Sequence, residues 1–362
     1  MNSDNNARSR FYMFDNLKFL LIMLVLVGHF ADILCVNLYG EYTGDPSLPI
    51  SDLFNKIYLF IYAFHMPLFM LLSGLFFKDS ENLNSSKALK YLIVGILMKM
   101  LLYLSMVVFR TDFKKDIPID FSLIGGDGAY WYLIALAAFV VITHGVRNVK
   151  PWLVIGLSVL LNLFCGYDNT IGDDFTLSRI IVFFPFFYVG YLLDPQKIAD
   201  HFTKFYMRII GVILLAVWAY FSFARLELTY PLRGIFTGRN SFDDVSESTG
   251  VAIGWEHRLL VMSISFVLCA AVLALGVNRY IPFITKAGSR TLQIYFWHRT
   301  VLYALVYFEY PQKLAVKFPN HYSLYYILTA VVLTFVLSLK PFGKPLEWIM
   351  KQIGNGKGEV RK

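Results

Sequence analysis

A run of apolar stretches, each close to the length that crosses a bilayer, decides what this chain can become. Lipid offers no hydrogen-bond partner to the peptide backbone, so a stretch immersed in it satisfies its own N–H and C=O groups as a helix. Such helices need about 20 apolar residues. Ten segments are expected, at roughly 16–36, 55–77, 88–109, 129–146, 151–165, 177–193, 205–224, 258–277, 289–308 and 322–340, the fifth being short. Only 16% of the 362 residues are charged, against about 25% in a soluble domain. The expected fold class is an all-α polytopic membrane protein, a bundle of about ten transmembrane helices.

The basic residues set the orientation. The net charge of +8 is spread over short loops, which points to membrane topology rather than to nucleic acid, because Lys and Arg are held on the cytoplasmic side. With the N-terminus inside, 20 of the 33 basic residues fall on the inner side. The outer loops carry acids instead, among them Glu41, Asp45, Asp52, Asp168, Asp173 and Asp174. Both termini are therefore expected in the cytoplasm. The division expected is a cytoplasmic segment 1–14, a membrane domain 15–342 and a basic tail 343–362 on the inner leaflet. Met1 to Arg10 is polar and lacks signal-peptide character, so the first apolar stretch should stay as a span. Cys35, Cys165 and Cys269 lie in or beside apolar segments, without metal-ligand or disulfide spacing. No metal is expected.

Within the first span, FDNLKFLLIMLVLVGHFADILCV, sit Asp15, Lys18 and His29. Ionisable groups at membrane depth face protein or water. At about 100° per residue, Lys18 and His29 differ by three turns plus about 20°. They are then about 16 Å apart along one stripe of the helix, and Asp15 falls near the same stripe. Histidine exchanges protons near neutral pH, which makes His29 a candidate general base. A structural hydrogen bond to a neighbouring helix is the plainer alternative.

Other polar groups recur in the later spans. His65 precedes Pro67, which removes a backbone donor and tends to kink its helix. Ser73-Gly74 makes a small polar notch and Lys78 stands at the inner border. Trp131 and Tyr132 follow Asp127 at the start of the fourth span, and Arg179 opens the sixth. Arg179 either snorkels outward or binds an anionic group such as a pyrophosphate or carboxylate. His298 and Arg299 are adjacent in the ninth span and so point about 100° apart. An arginine that deep requires a partner, for which Asp32 and Asp15 are the structural candidates. The polar stretch Arg225–His257 reads equally as a lid or as a solvated connection.

Taken in order, the basic residue with His29 eleven positions on, then FHMPLFMLLSG, YWYL, FFPFFYVGYLL and IYFWH, resemble acyltransferase family 3. The likeness is nearest to its fucose 4-O-acetylase-like branch and runs from Asp15 to about Ser338. The resemblance implies transfer of an acyl group, usually acetyl from cytoplasmic acetyl-CoA, to a sugar hydroxyl of a surface polysaccharide or lipid-linked glycan in a bacterial inner membrane. Carried over residue by residue, it places the family's histidine at His29, its FHMPxF…SG segment at Phe64 to Gly74 and its last-helix histidine at His298; the catalytic set expected is His29, Asp15, His65 and His298. Lys18, Ser73 and Lys78 fall to the acyl-CoA, and Trp131, Arg179 and Arg299 to the acceptor. The family pattern has Arg where Lys18 stands, which keeps the charge and loses bidentate phosphate binding. A proton-coupled transporter or flippase of a glycan or small metabolite is the competing reading, since buried His, Lys and Arg also mark substrate paths. A scaffold subunit of a polysaccharide synthase is the third.

Overall fold

A computed structural model describes residues 12–38, 47–77, 85–109, 128–172 and 174–354. Helices run at α1 (Tyr12–Ile33), α2 (Asp52–Tyr62), α3 (His65–Leu75), α4 (Ser85–Phe109), α5 (Trp131–Gly145), α6 (Pro151–Phe164), α7 (Leu177–Leu192), α8 (Pro195–Phe202) and α9 (Phe205–Ala224). They continue as α10 (Phe242–Thr249), α11 (Trp255–Ala274), α12 (Ile284–Gly288), α13 (Thr291–Tyr307), α14 (Tyr310–Lys317), α15 (Tyr322–Leu337) and α16 (Lys340–Gly354). No strand occurs among the described residues. Each of the ten expected segments coincides with a helix, or in the case of 55–77 with the pair α2 and α3. Among the described residues, six helical segments are long and apolar enough to cross a membrane, and α15 with α16, bent by 56°, makes a seventh if it is one span.

Burial separates the bundle's core from its lipid-facing rim. The α2–α3 segment is 78% buried and α9 only 17%. The rim helix turns Ile209, Ile210, Val212, Ile213 and Val217 outward, an apolar surface that a bilayer covers. At the centre, α1 packs against α2, α3, α12, α13 and α15. Its start is tied to the turn before α12: Asn16 Nδ2 donates to the carbonyls of Val277 (2.8 Å) and Arg279 (3.0 Å), and Thr285 Oγ1 donates to Asn16 Oδ1 (2.6 Å).

The break between α2 and α3 follows from Pro67. Without its N–H, the carbonyl of Ala63 four residues earlier has no helical donor. Ser265 Oγ on α11 fills the gap, donating to Ala63 O at 2.7 Å. The Ser265→Ala variant leaves that buried carbonyl unsatisfied, which costs about 1–3 kcal/mol. A lowered melting temperature in detergent is the expected result; an unchanged one would mean that another donor reaches Ala63.

The boundary at 342 falls inside α16, a helix held by Trp297 Nε1 donating to Phe342 O (3.0 Å). Residues 343–354 thus belong to the packed body, because α16 has an apolar face to bury; 355–362 lie outside the described residues. The stretch 225–257 is folded, not a loose connection. It holds single turns at Leu226–Thr229 and Arg233–Phe236, then α10, whose start is locked by reciprocal hydrogen bonds between Ser241 and Asp244. Arg258, 1% exposed, reaches in from α11 and donates to the carbonyls of Ile235 (3.1 Å) and Asn240 (3.5 Å). One buried guanidinium pins the cap to the bundle.

Candidate active site

Two cavities lie back to back along α1. The larger, about 490 Å³, sits beneath the folded cap and is lined by Val25, His29 and Asp32 from α1, with His65, Arg179 and Arg299 from its neighbours. The smaller, about 290 Å³, lies toward the start of α1, where Lys18 and Ile22 face Ser73, Lys87 and Tyr132. Met66 and Tyr295 line both and form the wall between them. Positions 18, 22, 25, 29 and 32 repeat at three- and four-residue steps, the spacing of one helix face. That single face of α1 lines both cavities in turn.

His29 is the centre of a polar cluster. Arg299 Nη1 stands 3.2 Å from His29 Nδ1, and its Nη2 donates to Tyr303 OH at 3.0 Å. His298 lies against the His29 ring, with centroids 5.1 Å apart and planes tilted by 31°. Adjacent residues 298 and 299 were expected to point apart; both nevertheless reach His29, the arginine at its edge and His298 at its face. His298 is 2% exposed and lines neither cavity. Its Nδ1 is 2.6 Å from Tyr295 O. His65 Nδ1 is 2.9 Å from Ile61 O, at the break between α2 and α3.

The remaining expected residues sort between the cavities. Trp131, Arg179 and Arg299 line the larger one, with the Arg179 guanidinium 5.0 Å from the centre of the Trp131 ring. Lys18 and Ser73 line the smaller, and Ser73 Oγ shares a 2.7 Å hydrogen bond with Tyr132 OH. Lys78 lies outside the described residues. Asp15 does not reach His29. It pairs with Lys18 at 3.3 Å, because residues 15 and 29 are separated by about 21 Å of helix at 1.5 Å per residue. Neither Asp32 nor Asp15 is the partner of Arg299 expected from the spans. Asp32 pairs instead with Arg233 of the cap at 3.1 Å.

Several lining residues were not singled out in the sequence. Tyr58 and Tyr62 stack at 3.6 Å, one helical turn apart, and the Arg233 guanidinium lies 4.4 Å from the Tyr58 ring centre. Arg239 of the cap and Tyr295 of α13 complete the wall. The spacing of Tyr58 and Tyr62 was visible; the approach of Arg233, some 170 residues later, was not.

Comparison with known proteins identifies the family. A family model described as an acyltransferase domain, Acyl_transf_3, matches residues 11–350. Among curated proteins, the chain is 26% identical to nodulation protein NolL of Sinorhizobium fredii over 230 residues, 59% of this chain and 56% of that one. It is also 26% identical to nodulation protein NolL of Mesorhizobium japonicum over 229 residues, 60% of this chain and 57% of the relative. The chain thus aligns with less than two thirds of the length of either relative. No solved structure matches it. The family match takes in both cavities and nearly every helix around them: the chain is a multi-pass membrane protein of the Acyl_transf_3 acyltransferase family.

Proposed function

We propose that the protein is an O-acyltransferase, moving an acetyl group from cytoplasmic acetyl-CoA to a sugar hydroxyl of a surface polysaccharide or lipid-linked glycan. The observation that carries this reading is the face of α1 shared by the two cavities, which runs from Lys18 to the His29 cluster. Transfer between two substrates held on opposite sides of a membrane needs such an arrangement, with chemistry at the meeting point.

The smaller cavity suits the donor. Lys18 and Lys87 supply positive charge for CoA phosphates, and Ile22, Leu72 and Phe76 offer an apolar track for the pantetheine arm. The arm then covers the roughly 16 Å of helix between Lys18 and His29. The larger cavity suits the acceptor. Trp131 and Tyr58 line it with aromatic carbon suited to the apolar edge of a sugar, and Arg179, Arg233 and Arg239 supply donors for its oxygens. His29 and His65 line this same cavity, within which an acceptor hydroxyl would lose its proton. The charge bias of the loops supports an orientation with the smaller cavity toward the cytoplasm, in the bacterial inner membrane that this function implies.

Free CoA released from acetyl-CoA by the detergent-purified protein, with and without a glycan-lipid extract of the host, tests the reading. Release that depends on the extract is the expected result. Lys18→Met is expected to raise the KM for acetyl-CoA about tenfold while kcat changes little, since it removes one charge–phosphate contact of about 1.5 kcal/mol. Failure of the protein to bind acetyl-CoA at all would move the assignment to a transporter.

A further inference from the structure

We infer that His65 is the group that takes the acceptor's proton, and that His29 serves as a hydrogen-bond donor held by Arg299. The inference rests on the acyl-transfer reading above and divides the work among the histidines.

The argument is one of donors and acceptors. A guanidinium carries only N–H donors and stays charged. With Arg299 Nη1 3.2 Å from His29 Nδ1, that ring nitrogen must present its lone pair. A neutral imidazole has one N–H, so in His29 it sits on Nε2. A protonated His29 would set N–H against N–H and cation against cation. His29 therefore offers the cavity a donor, and its one lone pair is already engaged.

His65 is built the other way. Its Nδ1 faces the carbonyl oxygen of Ile61 at 2.9 Å. A carbonyl only accepts, so Nδ1 carries the hydrogen and Nε2 carries the lone pair. The break imposed by Pro67 gives the ring this partner, because His65 begins α3 and its side chain bonds the carbonyl that a continuous helix would give to its backbone N–H. His298 shares the tautomer through Tyr295 O, yet it lines neither cavity, and its Nε2 is buried without a hydrogen-bond partner among the described residues. Of the two rings with a lone pair on Nε2, only His65 faces the acceptor cavity, where His29 also stands.

The step then balances. The acceptor O–H gives its proton to His65 Nε2 as its oxygen bonds to the thioester carbonyl carbon. The carbonyl π pair moves onto oxygen, and His29 Nε2–H donates to the oxyanion. Collapse re-forms the carbonyl and breaks the C–S bond, and the departing CoA sulfur takes the proton back from His65. The products are an ester and free CoA thiol, with both histidines restored.

Amide substitutions separate the roles, because glutamine reaches the position of Nε2 and asparagine that of Nδ1. His29→Gln keeps an N–H at the Nε2 position and is expected to hold kcat within about tenfold, whereas His29→Asn loses about 10²–10³-fold, the effect of an oxyanion donor. His65→Gln and His65→Asn both lose a base and about 10²–10⁴-fold in kcat, with the KM for acetyl-CoA unchanged. The fall of kcat at acid pH is expected to persist in His29→Gln. Equal loss in both His29 variants, or His65→Gln within tenfold of the parent, would overturn the assignment. A second measurement stands without turnover: ¹⁵N NMR of histidine-labelled protein, with His29 and His65 assigned by loss of signal in the variants. A bare Nδ1 on His29 and a protonated Nδ1 on His65 are expected; the reverse pattern overturns the inference. Absence of CoA release in the parent with every acceptor, beside the expected tautomers, would reject acyl transfer and leave the hydrogen-bond assignment intact.

Discussion

Arg299→Met is expected to lower kcat for CoA release by up to about 10²–10³-fold, the ceiling set by loss of the oxyanion donor that it positions. The guanidinium is the donor that His29 Nδ1 meets at 3.2 Å. Once it is gone, nothing in that contact holds the hydrogen on Nε2, and the ring is free to present either nitrogen to the cavity. Arg299 also bridges to Tyr303 OH at 3.0 Å, so the variant loosens α13 locally, and a melting curve must accompany the kinetics. Arg299→Lys keeps the charge but not the planar fork and is expected to fall between the parent and the methionine variant. A methionine variant that melts normally and keeps kcat within threefold of the parent would remove Arg299 from the mechanism.

Gly190→Val is expected to destabilise the protein by about 3 kcal/mol or more, beyond the usual cost of overpacking. Helices α3 and α7 touch backbone to backbone. A Cβ on Gly190 would overlap the carbonyl oxygen of Leu71, and a Cβ on Gly74 would overlap that of Phe187. Because the obstacles are main-chain atoms, no rotamer change relieves them, and the helices must part. Small residues permit such close approach in membranes. Parting α3 from α7 would also carry Met66 and Ser73 away from the cavity wall. Gly156→Val is the control, since nothing stands within 4 Å of the Cβ position there. Equal melting temperatures for the two variants would show that the contact is not needed.

The helical layout was legible because lipid leaves a backbone no alternative, and the segments from 16–36 to 322–340 all emerge as helices. The polar face of α1 was legible too, since helix geometry puts Lys18 and His29 in line without knowledge of any neighbour. The break at Pro67 followed from a missing N–H. What escaped was whatever depended on a partner distant in sequence. Arg299 and His29 are separated by 270 positions, and the apolar pattern of α13 does not reveal which helix it will face. Asp15 looked like a support for His29 by angle alone, and axial distance gave it to Lys18. For Arg225–His257 the sequence left lid and solvated connection open for another reason: the stretch is polar in composition, and its order comes from single buried contacts such as that of Arg258 with Ile235 O.

In the proposed orientation, the wall of Met66 and Tyr295 would bear on the cell's energy supply. An energised membrane tolerates no continuous column of water, and two aqueous recesses that met on α1 would short-circuit the proton gradient. A thioether and a phenol ring, 8% and 6% exposed, stand where the recesses approach each other. In the proposed orientation, only the small acyl group need pass them, while neither CoA nor glycan crosses. The side chains that divide the substrates would then also be the insulation that lets such an enzyme sit open on both faces without draining the host.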